Sequence, residues 1–163
     1  MLASKKLMSS DPIDRTAPPT GSEGPLSDSS GIRIRTDSRG RGILVVESDP
    51  DVQWRIARTL TVEGNRVVGS SSGEGALALL EQWPVELVLV DENLPGIDGI
   101  ELIRRLSDAW PDITSILLTD SDDPDLQVTA RLAGAVSCIR KPLRADVLDA
   151  VLAVEDMDLA AAE

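Results

Sequence analysis

Histidine, tyrosine and phenylalanine are absent from this chain of 163 residues, and cysteine occurs once. Without histidine no Ser-His or Cys-His nucleophilic pair can form, which excludes the common hydrolase arrangements. The single Cys138 excludes an internal disulfide and suits a reducing compartment. With no histidine to activate it, that thiol reads as the filler of a strand position rather than a nucleophile. Aromatic residues amount to 2%, all of them tryptophan (Trp54, Trp83 and Trp110), so a core has to be aliphatic. No segment approaches the roughly 18 apolar residues of a membrane span. Lys5 and Lys6 are followed by no apolar stretch of secretory length. The expectation is a soluble, cytoplasmic protein. A glycine-rich phosphate loop is also missing after the first apolar run, which argues against a nucleotide-binding enzyme.

What is present divides near residue 40. Residues 1–40 hold eight Ser, four Pro and four Gly and show no sustained apolar periodicity. They read as a disordered low-complexity arm, unable to bury enough surface to order itself. Charge splits at the same place: six basic and five acidic groups in the arm, ten and twenty-three in residues 41–163, for a net −12. So acidic a domain repels nucleic acid, and no direct DNA binding by residues 41–163 is expected. Arg33, Arg35, Arg39 and Arg41 form either a weak basic patch or part of a solubilising linker. Residues 155–163 make a short acidic tail.

Between arm and tail, short branched apolar runs alternate with helical periodicity. Asp51 to Glu63 places Val52, Ile56 and Leu60 at helical spacing before Gly64. Arg66 to Ser70 is a weaker strand, and Gly73 to about Gln82 a helix with Ala76, Leu79 and Leu80 inward. Asp98 can cap the next helix, with Glu101 as capping-box partner and Ile100, Ile103 and Leu106 facing the sheet. Asp123-Pro124 opens another helix that Gly134 closes, and a last one runs from Arg144 to about Val154. Trp83 and Trp110 read as helix-end packing, and Trp54 as an exposed contact residue. Five strands alternating with five helices imply an α/β fold: a doubly wound parallel sheet, flavodoxin-like in order 2-1-3-4-5, with helices on both faces.

Four of the apolar runs end on chemistry-bearing groups. Ile43-Leu44-Val45-Val46 ends on Glu47, Ser48 and Asp49; Leu87 to Val90 ends on Asp91; Ile116 to Leu118 ends on Thr119; Ile139-Arg140 ends on Lys141-Pro142. In a parallel sheet all four ends open on one side, so acid, acid, hydroxyl and lysine could converge. A carboxylate in Asp91's position can attack a phosphoryl group, hold a hard cation, or simply be a solvated turn acid.

In this order of groups, residues 41–154 resemble the receiver domain of bacterial two-component response regulators. The resemblance implies that Asp91 is the phosphoacceptor, Thr119 the switch hydroxyl and Lys141 the partner of the phosphoryl oxygens. It implies Mg²⁺ held by Glu47, Asp91 and the backbone carbonyl of Asn93, and a cis Lys141-Pro142 bond. Pro95, Gly96, Asp98 and Gly99 match the loop after the phosphoacceptor. The phosphoryl group would come from a sensor histidine kinase or phosphotransfer protein, since a chain without histidine cannot be the phosphohistidine donor. Output would be reversible binding to a downstream protein target, with at most self-catalysed phosphoryl transfer and dephosphorylation. The chain stops soon after the last expected helix, as a stand-alone receiver would. The usual partner surface of the family offers Arg131, Arg140, Arg144, Asp146 and Asp149 here.

Three residues depart from the family pattern. Ser48 replaces the second member of the acidic pair, which predicts weakened Mg²⁺ binding unless Glu47 or Asp49 reaches inward; Ser48 can also serve as a helix-cap or turn hydroxyl. Asp120 follows Thr119 where a small residue is usual, either repelling the phosphoryl group or lying in solvent with Asp122, Asp123 and Asp125. Cys138 stands where an inward-turning aromatic is usual. These departures open a second reading, a degenerate receiver that binds a partner without phosphorylation.

Overall fold

The computed structural model describes residues 40–150, 152 and 153. The expected arm, with Arg33, Arg35 and Arg39, and the acidic tail 155–163 lie outside the described residues, as do Val151 and Val154. The elements are β1 (Gly42–Val46), α1 (Pro50–Val62), β2 (Arg66–Ser70), α2 (Gly73–Leu80), β3 (Leu87–Asp91), α3 (Gly99–Ala109), β4 (Thr114–Thr119), α4 (Pro124–Ala133) and β5 (Ser137–Arg140). A final helical stretch, α5, includes 145–150 and residues 152 and 153. Every strand pairing is parallel, and the order is β2-β1-β3-β4-β5, as expected.

The central strands are apolar at consecutive positions because both of their faces are covered. Leu44, Val46, Val88, Val90 and Leu117 pack with Ala76, Leu102, Leu106 and Ala130 of α2, α3 and α4. Ile43, Val45, Leu87, Leu89, Ile116 and Leu118 pack with Ile56 and Leu60 of α1 and Leu148 of α5. Each fully buried Leu or Ile contributes about 1.5–3 kcal/mol, so an aliphatic core suffices without Phe or Tyr.

Several local expectations need correction. The cap of α1 is Asp49, not Ser48: Asp49 Oδ1 accepts from Asp51 N at 2.9 Å and Val52 N at 3.3 Å. The helix accordingly starts at Pro50 and stops at Val62. Asp98 caps α3 through Glu101 N at 2.8 Å, but the capping box stays half-made. The Glu101 carboxylate is drawn to Arg104 and Arg105, three and four residues on along the same helix face. Trp83 is 52% exposed instead of packed, whereas Trp110 lies against the core. Trp54 is 59% exposed, and the Arg58 guanidinium sits 5.1 Å from the centre of its ring.

Candidate functional site

The carboxyl ends of the strands meet where the sheet order reverses, between β1 and β3. Glu47, just past β1, is 1% exposed. Its backbone is clamped: its N–H donates to Ser70 O at 3.0 Å, and Gln53 Nε2 donates to the carbonyls of Glu47 and Ser70 at 3.1 and 2.8 Å. Both carboxylate oxygens are engaged, Oε1 by Asp49 N at 3.0 Å and Oε2 by Lys141 Nζ at 2.7 Å. Glu47 therefore does reach inward, while Asp49 is committed to capping α1.

Asp91 ends β3 and is 3% exposed. Its Oδ1 lies 2.8 Å from Lys141 Nζ, so a single ammonium spans two buried carboxylates. No donor meets that Oδ1 at hydrogen-bonding geometry, which leaves the contact ionic. Burial alone pulls the Lys141 pKa down and is the largest single influence on it. The contacts and charges of Asp91 and Glu47 together outweigh burial and hold the ammonium above its usual range. Lys141 is positioned from behind by its N–H bond to Thr119 O at 2.8 Å, and Lys141-Pro142 is cis.

Gly99 explains how the loop after Asp91 folds so tightly. A Cβ there would lie 2.3 Å from the Asp91 carbonyl oxygen, so α3 can begin against β3 only with glycine at this position. Gly96 takes a left-handed φ of 78°, and the loop is tied to α2 by the bond from Ile97 N to Glu74 Oε1 at 3.2 Å.

Thr119, at the end of β4, is 3% exposed. Its hydroxyl donates to Glu92 Oε2 and accepts from Ser121 N at 2.9 Å. Sequence reasoning missed both Glu92 and Gln53. The only signal for Glu92 was an acid immediately after Asp91; nothing local pointed to Gln53. Cys138 on β5 pairs with Leu117 of β4 and lies half-buried against the core. Burial, and then the nearby Glu92 charge, push its thiol up from the usual range.

A cleft of about 750 Å³ opens over Glu47, Asp91, Asn93, Asp120 and Lys141 and runs along α1 to Trp54 and Arg58. Ser48 is exposed at its rim and makes one long hydrogen bond, 3.4 Å, to the Asn93 carbonyl. Asp120 is exposed yet lines the cleft, and the neighbouring Asp122 pairs with Arg140. Arg131, Arg140, Arg144, Asp146 and Asp149 are all exposed.

Mg²⁺ is satisfied by one or two carboxylates plus carbonyls and waters. Asp91, lining the cleft, and the Asn93 carbonyl, met only by a long bond, offer such a set. Among the described residues no three Asp, Glu or Cys side chains group closely enough to hold a metal by themselves. The donor set fits a weak, largely hydrated divalent site. No helix among the described residues is long and apolar enough to cross a membrane.

The fold is that of a receiver domain, and the chain belongs to the response regulator receiver domain family, which residues 43–153 match. It is 39% identical over 111 residues to the transcriptional regulatory protein AfsQ1 of Streptomyces coelicolor, covering 66% of this chain and 48% of that one. It is 32% identical over 116 residues to the DNA-binding transcriptional regulator NtrC of Salmonella typhimurium, covering 71% and 24%. The chain thus spans about half or less of the length of these curated relatives. The BeF3-activated N-terminal receiver domain of Klebsiella pneumoniae RstA is 33% identical with a TM-score of 0.67, over 71% of this chain and 98% of that one. A CheY-like receiver domain from Methanospirillum hungatei shares the fold at a TM-score of 0.70 and 24% identity, over 76% and 99%. Receiver domains are signalling domains rather than classical enzymes, and they generally bind Mg²⁺ at an acidic pocket.

Proposed function

We propose that Asp91 is the phosphoacceptor of a two-component phosphorelay, and that the domain signals by binding another protein according to its phosphorylation state. The observation that carries this reading is the Lys141 ammonium set between two buried carboxylates, Glu47 and Asp91, in the strand-end cleft. One Asp91 oxygen attacks phosphorus, the bond from phosphorus to the donor's imidazole nitrogen breaks, and its electron pair stays on that nitrogen. Charge on the transferring oxygens is neutralised by Lys141, and the Thr119 hydroxyl donates to one of them. Asp91 and the Asn93 carbonyl, backed by Glu47, would hold Mg²⁺, which when bound supplies further charge neutralisation on the phosphoryl oxygens. Ser48 lacks the carboxylate that would complete this set, so the affinity is low.

The donor in this reading is a sensor histidine kinase or phosphotransfer protein, and the output a protein target; coupling of about 1–3 kcal/mol between site and surface would suffice. The acidic domain binds no nucleic acid itself, and it acts in the cytoplasm. Intact mass after incubation with acetyl phosphate and Mg²⁺ tests the reading. A phosphoryl-sized gain in the parent that Asp91→Asn loses is expected. No gain at high donor and high Mg²⁺ would favour a degenerate receiver that binds its partner unphosphorylated. Ser48 at the metal rim and the committed Thr119 hydroxyl are the observations on that side.

A further inference from the structure

We infer that Glu92 is a positioning residue that holds the Thr119 hydroxyl away from Asp91, and so sets how readily Asp91 is modified. The inference rests on the phosphoacceptor reading of Asp91. A threonine hydroxyl has one proton to donate. Here that proton is given to Glu92 Oε2, while the oxygen itself accepts from Ser121 N at 2.9 Å. Its single proton is therefore committed, along with one of its two lone pairs. Thr119 is 3% exposed, so bulk water does not compete for that proton.

The backbones on both sides are fixed, which confines the choice to side-chain rotation. Glu92 N donates to Leu118 O at 2.9 Å, Gly99 N donates to Glu92 O at 3.1 Å, and Lys141 N donates to Thr119 O at 2.8 Å. Glu92 is half-buried, and no cation among the described residues pairs with its carboxylate. Among the described residues, Thr119 is the side chain that donates to it. To serve a phosphoryl oxygen on Asp91, the hydroxyl has to turn about χ1 and leave a charged acceptor for another. Glu92 then loses that donor near the Cys138 thiol, which burial, and then the Glu92 charge, push up from its usual range.

The test is a double-mutant cycle in the full chain: parent, Glu92→Gln, Glu92→Ala, Thr119→Ala and the two double variants. The readout is the initial rate of Asp91 modification by acetyl phosphate and Mg²⁺ at sub-saturating donor. A hydroxyl freed from a charged acceptor should raise that rate about tenfold in Glu92→Ala. Glu92→Gln, which keeps the shape and a weaker acceptor, should fall between parent and Glu92→Ala. In the Thr119→Ala background neither substitution should change the rate. The same acceleration in that background would show that the charge acts through space, overturning the inference. Modification of the parent at a rate unchanged in Glu92→Ala would overturn it too, while leaving Asp91 as phosphoacceptor. No adduct in any of the proteins would overturn the phosphoacceptor reading and this inference together.

Discussion

The two flanks of the strand-end site are built on different principles. On the β1, β3 and β5 flank, Glu47, Asp91 and Lys141 are all buried or nearly so and are held by ion pairs at 2.7 and 2.8 Å. On the β4 flank, Thr119 is equally buried, but its hydroxyl is bound to Glu92 and not directed at the acids. The first flank matches the receiver pattern in residue type except at Ser48. The second keeps the pattern's threonine, binds it to Glu92, and has Asp120 next in the chain. The difference teaches that residue identity determines which charges sit in a site, whereas a hydroxyl's allegiance depends on what else is within its reach. A lysine between two buried carboxylates has nowhere better to go; a threonine beside a third carboxylate does.

The largest effect should come from breaking the ionic flank. Lys141→Met leaves two buried carboxylates without a counter-charge and should lower unfolding free energy by about 3 kcal/mol in urea titrations. Asp91→Asn, which leaves Glu47 and Lys141 as a balanced pair, should cost less than about 1 kcal/mol by the same estimate of unbalanced burial. If the two substitutions cost the same, the charge balance assigned to this flank is wrong. A smaller effect is expected at its one mismatched position. Ser48→Asp adds a carboxylate beside the Asn93 carbonyl and should tighten Mg²⁺ about tenfold by titration calorimetry. Unchanged affinity would mean that Ser48 does not border the metal site.

The smallest effect sharpens the hydroxyl flank. The Cys138 thiol is raised above its ordinary value of 9.0, so its thiolate is scarce at neutral pH. Iodoacetamide labelling should be slow near neutrality and accelerate only as the pH climbs past that ordinary value. Glu92→Gln removes the charge that assists the shift and should make labelling at mildly alkaline pH modestly faster. An identical labelling profile in both proteins would place Glu92 too far from β5 to influence it.

Much of the scaffold was legible because it follows from local rules. The runs from Ile43 and Leu87 read as strands covered on both faces, and both clusters of the core draw on them. Asp98 was legible as a cap and Asp123-Pro124 as a helix start, since a short acid or a proline before a helical period suits the first turn. Of the two local roles open to Ser48, the cap goes to Asp49, one residue on, which offers a stronger acceptor to the same helix end. Trp83 was misread because a tryptophan near a helix end looks the same whether or not anything folds over it.

The sequence by itself determined the class: the period of its apolar runs specifies the parallel sheet, and the order of acid, acid, hydroxyl and lysine at the run ends specifies the receiver family. Only the tertiary structure decided the partners within the site. Gln53 on the Ser70 carbonyl and Glu92 on Thr119 join residues whose pairing depends on where helices and loops come to rest. Hydrogen bonds are short-ranged and directional, so which acceptor wins a given proton is settled by ångströms of placement that no spacing along the chain encodes.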